Sequence, residues 1–154
     1  MKTETFLLIG TLLMGLPGRP VATERLRVLW RGTGGWGNKS TYCALFDPKT
    51  IQTLRGTVMS VDSVTPLPGM SPGIELELKT DKGVLPIHLG PLWYVENQDI
   101  DIQSQDTVEV TGSRIFCEGQ DVIAATEVRH GGKKLKLRDN QGRPLWVAAT
   151  EEQK

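Results

Sequence analysis

The chain has 154 residues, 38% of them hydrophobic, and Lys plus Arg equals Asp plus Glu at 18 each. That length gives one domain with a modest core. The zero net charge excludes an overall cationic field of the kind that drives tight, sequence-independent binding to nucleic acid, so any polyanion site must be local.

The N-terminal stretch MKTETFLLIGTLLMGLPGRPVATERL sets Lys2 ahead of an apolar run from Phe6 to Leu16, then Pro-Gly and small residues up to Ala22. This is signal-peptide anatomy over residues 1–22 and predicts a periplasmic or secreted protein. The run is short for a membrane span of about 20 residues. An uncleaved anchor is the alternative, and membrane attachment would come through that segment alone. Cys43 and Cys117 are too far apart for a CxxC redox motif; in an exported chain they either pair or stay as thiols.

Residues 23–50 read as a Gly/Trp-rich arm. Gly32, Gly34, Gly35 and Gly37 interrupt any apolar period. Trp30 and Trp36 imply that the arm lies down on the folded body or docks a partner.

From Thr53 the period becomes two. TLRGTVMSVDSV carries Leu54, Val58 and Val61 around Gly56, which would permit a bulge or strong coiling. In GIELELKT, Ile74, Leu76 and Leu78 face one way and Glu75, Glu77 and Lys79 the other. A DKG turn then leads into VLPIHLG, so residues 74–89 form a hairpin. In this third strand Leu85, Ile87 and Leu89 point inward, which leaves Val84, Pro86 and His88 on the outer face with His88 accessible. Pro91 suits the first turn of a short helix in GPLWYVEN. DTVEVTGSRI and DVIAATEVRH supply two more strands. Five strands with one short helix between the third and fourth make an all-β, OB-fold-like Greek-key barrel over residues 51–130; a small sandwich is the alternative. Residues 131–154 form a basic C-terminal hairpin and tail, with Leu135 and Leu137 alternating around an NQG turn.

GTVMSV, LELKTDKGVLPIHL, DTVEVTGS and VIAATEV together resemble the exported bacterial OB-fold (BOF-like) proteins over roughly residues 53–130. FDPKT, HLGPLWY and LRDNQGRPLW are similar to secreted proteins that often carry a nucleic-acid-binding label. The resemblance implies a small exported barrel, and DNA binding only by analogy of fold.

No GxSxG, HExxH or Walker loop is present, and His88 and His130 lie in different segments, so a non-catalytic protein is expected. Residues 51–128 hold Arg55, Lys79, Lys82 and Arg114 against twelve acidic side chains, whereas residues 129–143 hold Arg129, Lys133, Lys134, Lys136, Arg138 and Arg143 against Asp139. The candidate ligand site is therefore Lys133, Lys134, Lys136 and Arg138, with Trp146 as a stacking partner and the Trp93–Tyr94 corner beside it, facing an exported protein or a polyanion. The opposing structural reading is that these cations lie against the barrel's own carboxylates. A rival reading is a copper-type site in which His88, Trp93 and a thioether, Met70 or Met59, hold a cuprous ion. For the Trp93–Tyr94 corner the plainer reading is a plug at the barrel end, with the aromatics buried. Glu75 and Glu77 on the second strand would repel phosphates and oppose the nucleic-acid reading.

Overall fold

The computed structural model describes residues 33–147. The leader over residues 1–22 and Trp30 lie outside the described residues. The protein is all-β. Among the described residues six strands form one sheet: β1 (Ile51–Val64), β2 (Gly73–Thr80), β3 (Gly83–Pro91), β4 (Thr107–Cys117), β5 (Gln120–His130) and β6 (Lys133–Lys136). A short α-helix, α1 (Leu92–Val95), falls between β3 and β4. The strand order is β3-β2-β1-β4-β5-β6, antiparallel throughout, and an additional parallel pairing joins β3 to β5 at Ile87↔Ile123 and His88↔Ala124. No helix among the described residues is long and apolar enough to cross a membrane.

Alternation accounts for most of this arrangement. Leu76 and Leu78 are fully buried while Glu77 and Lys79 are exposed, and the hairpin pairs Leu76 with Ile87 and Leu78 with Leu85. β1 is long enough to serve two neighbours, its first half pairing with β4 and its second with β2. The expected irregularity sits three residues later than Gly56: the register shift lies between Val58 and Ser60, and Met59 is turned outward. Gly56 serves close approach instead, since a Cβ there would stand 2.3 Å from the Lys79 carbonyl oxygen.

β5 departs from alternation. Val122, Ile123, Ala124, Ala125 and Thr126 are buried in succession, the mark of a strand covered on both faces. One covering is the sheet's own interior, with Val58, Leu76, Ile87, Val108, Val110 and Val128. The other is made by segments outside the first five strands. The arm turns through two 3₁₀ turns, Cys43–Leu45 and Pro48–Thr50, and contributes Trp36 and Tyr42; the tail contributes Leu137, Arg138 and Trp146. The described part of the arm therefore belongs to the core.

Two glycines provide the seats for the indoles. A Cβ at Gly73 would lie 2.4 Å from the Trp36 ring, and one at Gly90 would lie 2.9 Å from the Trp146 ring. Gly90→Ala is expected to destabilise by about 1–3 kcal/mol through overpacking, read as a lower urea midpoint. An unchanged midpoint would mean that the indole moves aside freely.

The tail turns twice. A Gly131–Gly132 turn pairs β6 with β5, and past β6 the chain folds back at the expected NQG sequence, where an Arg138↔Pro144 bridge is flanked by backbone bonds from Asp139 N–H to the Arg143 carbonyl and from Leu145 N–H to the Leu137 carbonyl, both at 3.0 Å. Both cysteines are free thiols, Cys117 buried and Cys43 half-buried.

Candidate functional site

β3 carries His88 on its outward face, as alternation requires, opposite Glu75 of β2 and beside Ala124 of β5. The accessibility expected of His88 is wrong, because that face is covered: His88 is 2% exposed. Tyr42 of the arm lies over it, ring centroids 5.8 Å apart, with its hydroxyl 3.0 Å from His88 Nδ1. His88 Nε2 is 3.1 Å from Glu75 Oε2. A carboxylate only accepts, so Nε2–H donates to Glu75, and Nδ1, left with its lone pair, accepts from the Tyr42 hydroxyl. Burial, aided by the Arg138 guanidinium, holds His88 down to about 4. Burial raises the Tyr42 phenol, and burial with the nearby Glu77 and Asp62 charges raises Glu75. At neutral pH the imidazole is uncharged, with both nitrogens occupied.

Arg138 reaches this layer through a local irregularity. The backbone N–H groups of Leu137 and Arg138 both donate to the Thr126 carbonyl, at 2.8 and 3.2 Å. Sharing one acceptor turns two successive side chains inward, and both are buried. Arg138 Nη1 donates to the Leu89 carbonyl at 3.2 Å and to the Ala125 carbonyl, and the guanidinium carbon lies 5.0 Å from the Trp146 ring centroid. Trp146 donates to the Trp36 carbonyl at 2.8 Å, Trp36 donates to the Ser71 carbonyl at 2.9 Å, and the two rings meet edge-on.

The candidate ligand residues therefore separate into two groups. Arg138 and Trp146, expected at a polyanion surface, are buried at 5% and 0% exposure, because the tail folds back over β5. Lys133, Lys134 and Lys136 remain exposed on the hairpin. Arg55, Arg129, His130, Lys133 and Lys134 line a cleft beside it, together with Glu109. Some of this charge is answered locally: Glu127 pairs with Arg129 at 2.7 Å and with Lys134 at 4.0 Å, and Asp99 with Lys133 at 3.4 Å; His130 Nε2 lies 3.2 Å from Asp106 Oδ2. Among the described residues, Arg55 and Lys136 have no ion-pair partner.

Trp93 and Tyr94 sit half-buried on α1. Tyr94 packs on Trp146 at 5.3 Å, so the corner belongs to the same aromatic layer. The copper-type set is not assembled. Both His88 nitrogens are engaged, Met70 packs beneath the arm against Gly35, and Met59 faces outward from β1. Among the described residues no group of three or more His, Cys, Asp or Glu is placed to hold a metal ion.

Sequence reading missed Tyr42 and the buried role of Arg138. Two signals point to them: the unbroken run VIAAT, and the pair Gly73 and Gly90 on strands that otherwise carry large side chains.

The family model described as the MamS/MamX magnetosome protein family matches residues 50–135, more than half of the chain. The chain belongs to that family. No curated protein matches it. The resemblance to exported bacterial OB-fold proteins is corrected accordingly, since the stretches that suggested it are the strand and turn grammar of β1 to β5. The MamS/MamX match includes His88, Glu75, the two glycine seats and Lys133 and Lys134, while Trp36, Tyr42, Arg138 and Trp146 fall outside the matched range.

Proposed function

We propose that this MamS/MamX family member is a non-catalytic accessory module that binds the acidic surface of an exported partner protein through the β5–β6 hairpin. The supporting observation is the cleft lined by Arg55, Arg129, Lys133 and Lys134, which with the exposed Lys136 concentrates positive charge on an otherwise acidic body. Glu127, shared between two cations, and the fully exposed Asp99 are weak internal partners and are readily exchanged for a partner's carboxylates. The scaffold in this reading is an OB-type barrel. The β3–β5 pairing links the two ends of the five-strand run, and α1 stands between the third and fourth strands. The family's description as a magnetosome protein family supports an accessory role there. The leader-like N-terminal sequence supports action outside the cytosol, periplasmic or secreted.

Binding to immobilised poly-glutamate should weaken steeply with salt. The triple variant Lys133→Gln/Lys134→Gln/Lys136→Gln should lower the log–log salt slope by up to about 3, roughly one per charge removed, by analogy with phosphate contacts. Retention that ignores both salt and the three substitutions removes the proposal. Equal or tighter retention on duplex DNA would favour the nucleic-acid reading instead.

A further inference from the structure

β6 stands last in the strand order, so among the described residues one of its edges pairs with no strand. The β5–β6 register sets Leu137 opposite Thr126, and the Leu137 N–H donates to the Thr126 carbonyl at 2.8 Å. Bonded and non-bonded pairs alternate along an antiparallel ladder. Lys133 and Leu135 therefore bond to β5, and the N–H and C=O groups of Lys134 and Lys136 point the other way. No described group bonds to them. Just beyond, the same edge already holds a piece of extended chain: the Leu137 carbonyl shares a peptide unit with the inward Arg138 N–H, so it too points away from β5, and it accepts from the Leu145 N–H at 3.0 Å.

The side chains along this edge divide by face. Lys134 and Lys136 are exposed on one face, and Leu135 between them is buried on the other. Beside the edge runs a groove of ≈ 340 Å³, bounded by Lys133, Lys134 and Leu135 and, across from them, by Gln98, Asp99 and Ile100. Leu135 and Ile100 also line a second groove of ≈ 470 Å³ with Val61, Ile74 and Ile102, whose charged residues are Glu96 and Asp101.

We propose that the free edge of β6 takes up an extended segment of the acidic partner by strand addition, a segment in which Asp or Glu alternates with aliphatic residues. This rests on the partner reading given above and says how that partner is held. The backbone groups of Lys134 and Lys136 supply the hydrogen bonds. Acidic side chains lie beside the two lysines as cross-strand pairs, and aliphatic ones lie beside Leu135, towards the second groove. Glu96 and Asp101 repel carboxylates from that side, which fixes the phase of the alternation. The same lysines turn away a second copy of this chain, whose own β6 edge carries like charge.

An alternating Glu-Val peptide of about eight residues should bind the immobilised full chain. Two analogues, N-methylated at every Glu or at every Val, keep the side chains and lose one row of donors each. Strand addition predicts that one analogue binds about tenfold or more weakly, on the scale of one hydrogen bond, and that the other does not: the Glu analogue loses if the strands run antiparallel, the Val analogue if parallel. Lys134→Pro removes an N–H that the fold does not use and should weaken binding about tenfold beyond Lys134→Gln, with the urea midpoint as the check on folding. The two analogues need only the unsubstituted protein and decide the matter should the proline variant not fold. A peptide that does not bind, analogues that bind alike, or folded proline and glutamine variants that bind alike overturn the inference, even where salt-dependent retention on poly-glutamate persists. If poly-glutamate is not retained either, the partner reading falls with it.

Discussion

Trp146→Ala is expected to destabilise the protein by about 3–5 kcal/mol, the largest single-residue effect considered for this chain. Trp146 is fully buried, donates to the Trp36 carbonyl, packs on Tyr94 and offers its face to Arg138. Truncation opens a cavity, removes the cation–π partner of a buried charge and frees the arm that Trp36 anchors. With small-domain stability typically about 5–15 kcal/mol, a large part of the total is lost. Trp146→Phe keeps most of the area but not the Nε1 donor, and should lose roughly 1–2 kcal/mol. Urea unfolding checks both, and a loss below about 1 kcal/mol for the alanine variant would contradict the double-covered strand that explains β5.

Stability should fall as the pH drops from about 6.5 towards 4. The folded state holds His88 neutral down to about 4, whereas the unfolded chain takes up the proton near 6.5. Across that window the unfolded state binds more protons, so the stability present above it is lost progressively on acidification, by at most about 3 kcal/mol. Glu75 acts in the opposite sense. Its raised carboxyl pKa contributes stability at low pH that is lost as the pH rises through its folded value, which reduces the net slope. His88→Gln, which keeps a donor and an acceptor in place, should flatten the profile between pH 6.5 and 4. A wild-type profile already flat across that range would mean that the imidazole protonates in place, against the geometry of the Tyr42–His88–Glu75 chain.

The hairpin of β2 and β3 was legible residue by residue, because alternation with a two-residue turn leaves a single register that buries Leu76, Leu78 and Ile87. The short helix after Pro91 was legible for a similarly local reason. His88 shows where local reasoning stops. Period two places its side chain on the outer face correctly, yet says nothing of whether that face meets water or another part of the chain. The cover over His88 comes from Tyr42, 46 positions earlier. Arg138 failed for a different reason: one shared acceptor at Thr126 reversed the inside–outside parity of the tail. Lys133, Lys134 and Lys136 precede that irregularity, and for them the exposed reading agrees with the structure. Charge counting registered the tail's cations without distinguishing the one that points inward.

The hydrogen bond from Trp146 to the Trp36 carbonyl spans 110 positions. During synthesis the indole near the start of the described chain has a strand to rest on long before its lid exists. Closing a loop of that length adds little to the equilibrium cost but delays completion, since distant contacts form late and a half-covered apolar strip is exposed meanwhile. Unless a chaperone or a slow ribosome shields β5 in that interval, nascent chains stalled short of residue 146 should be the aggregation-prone population.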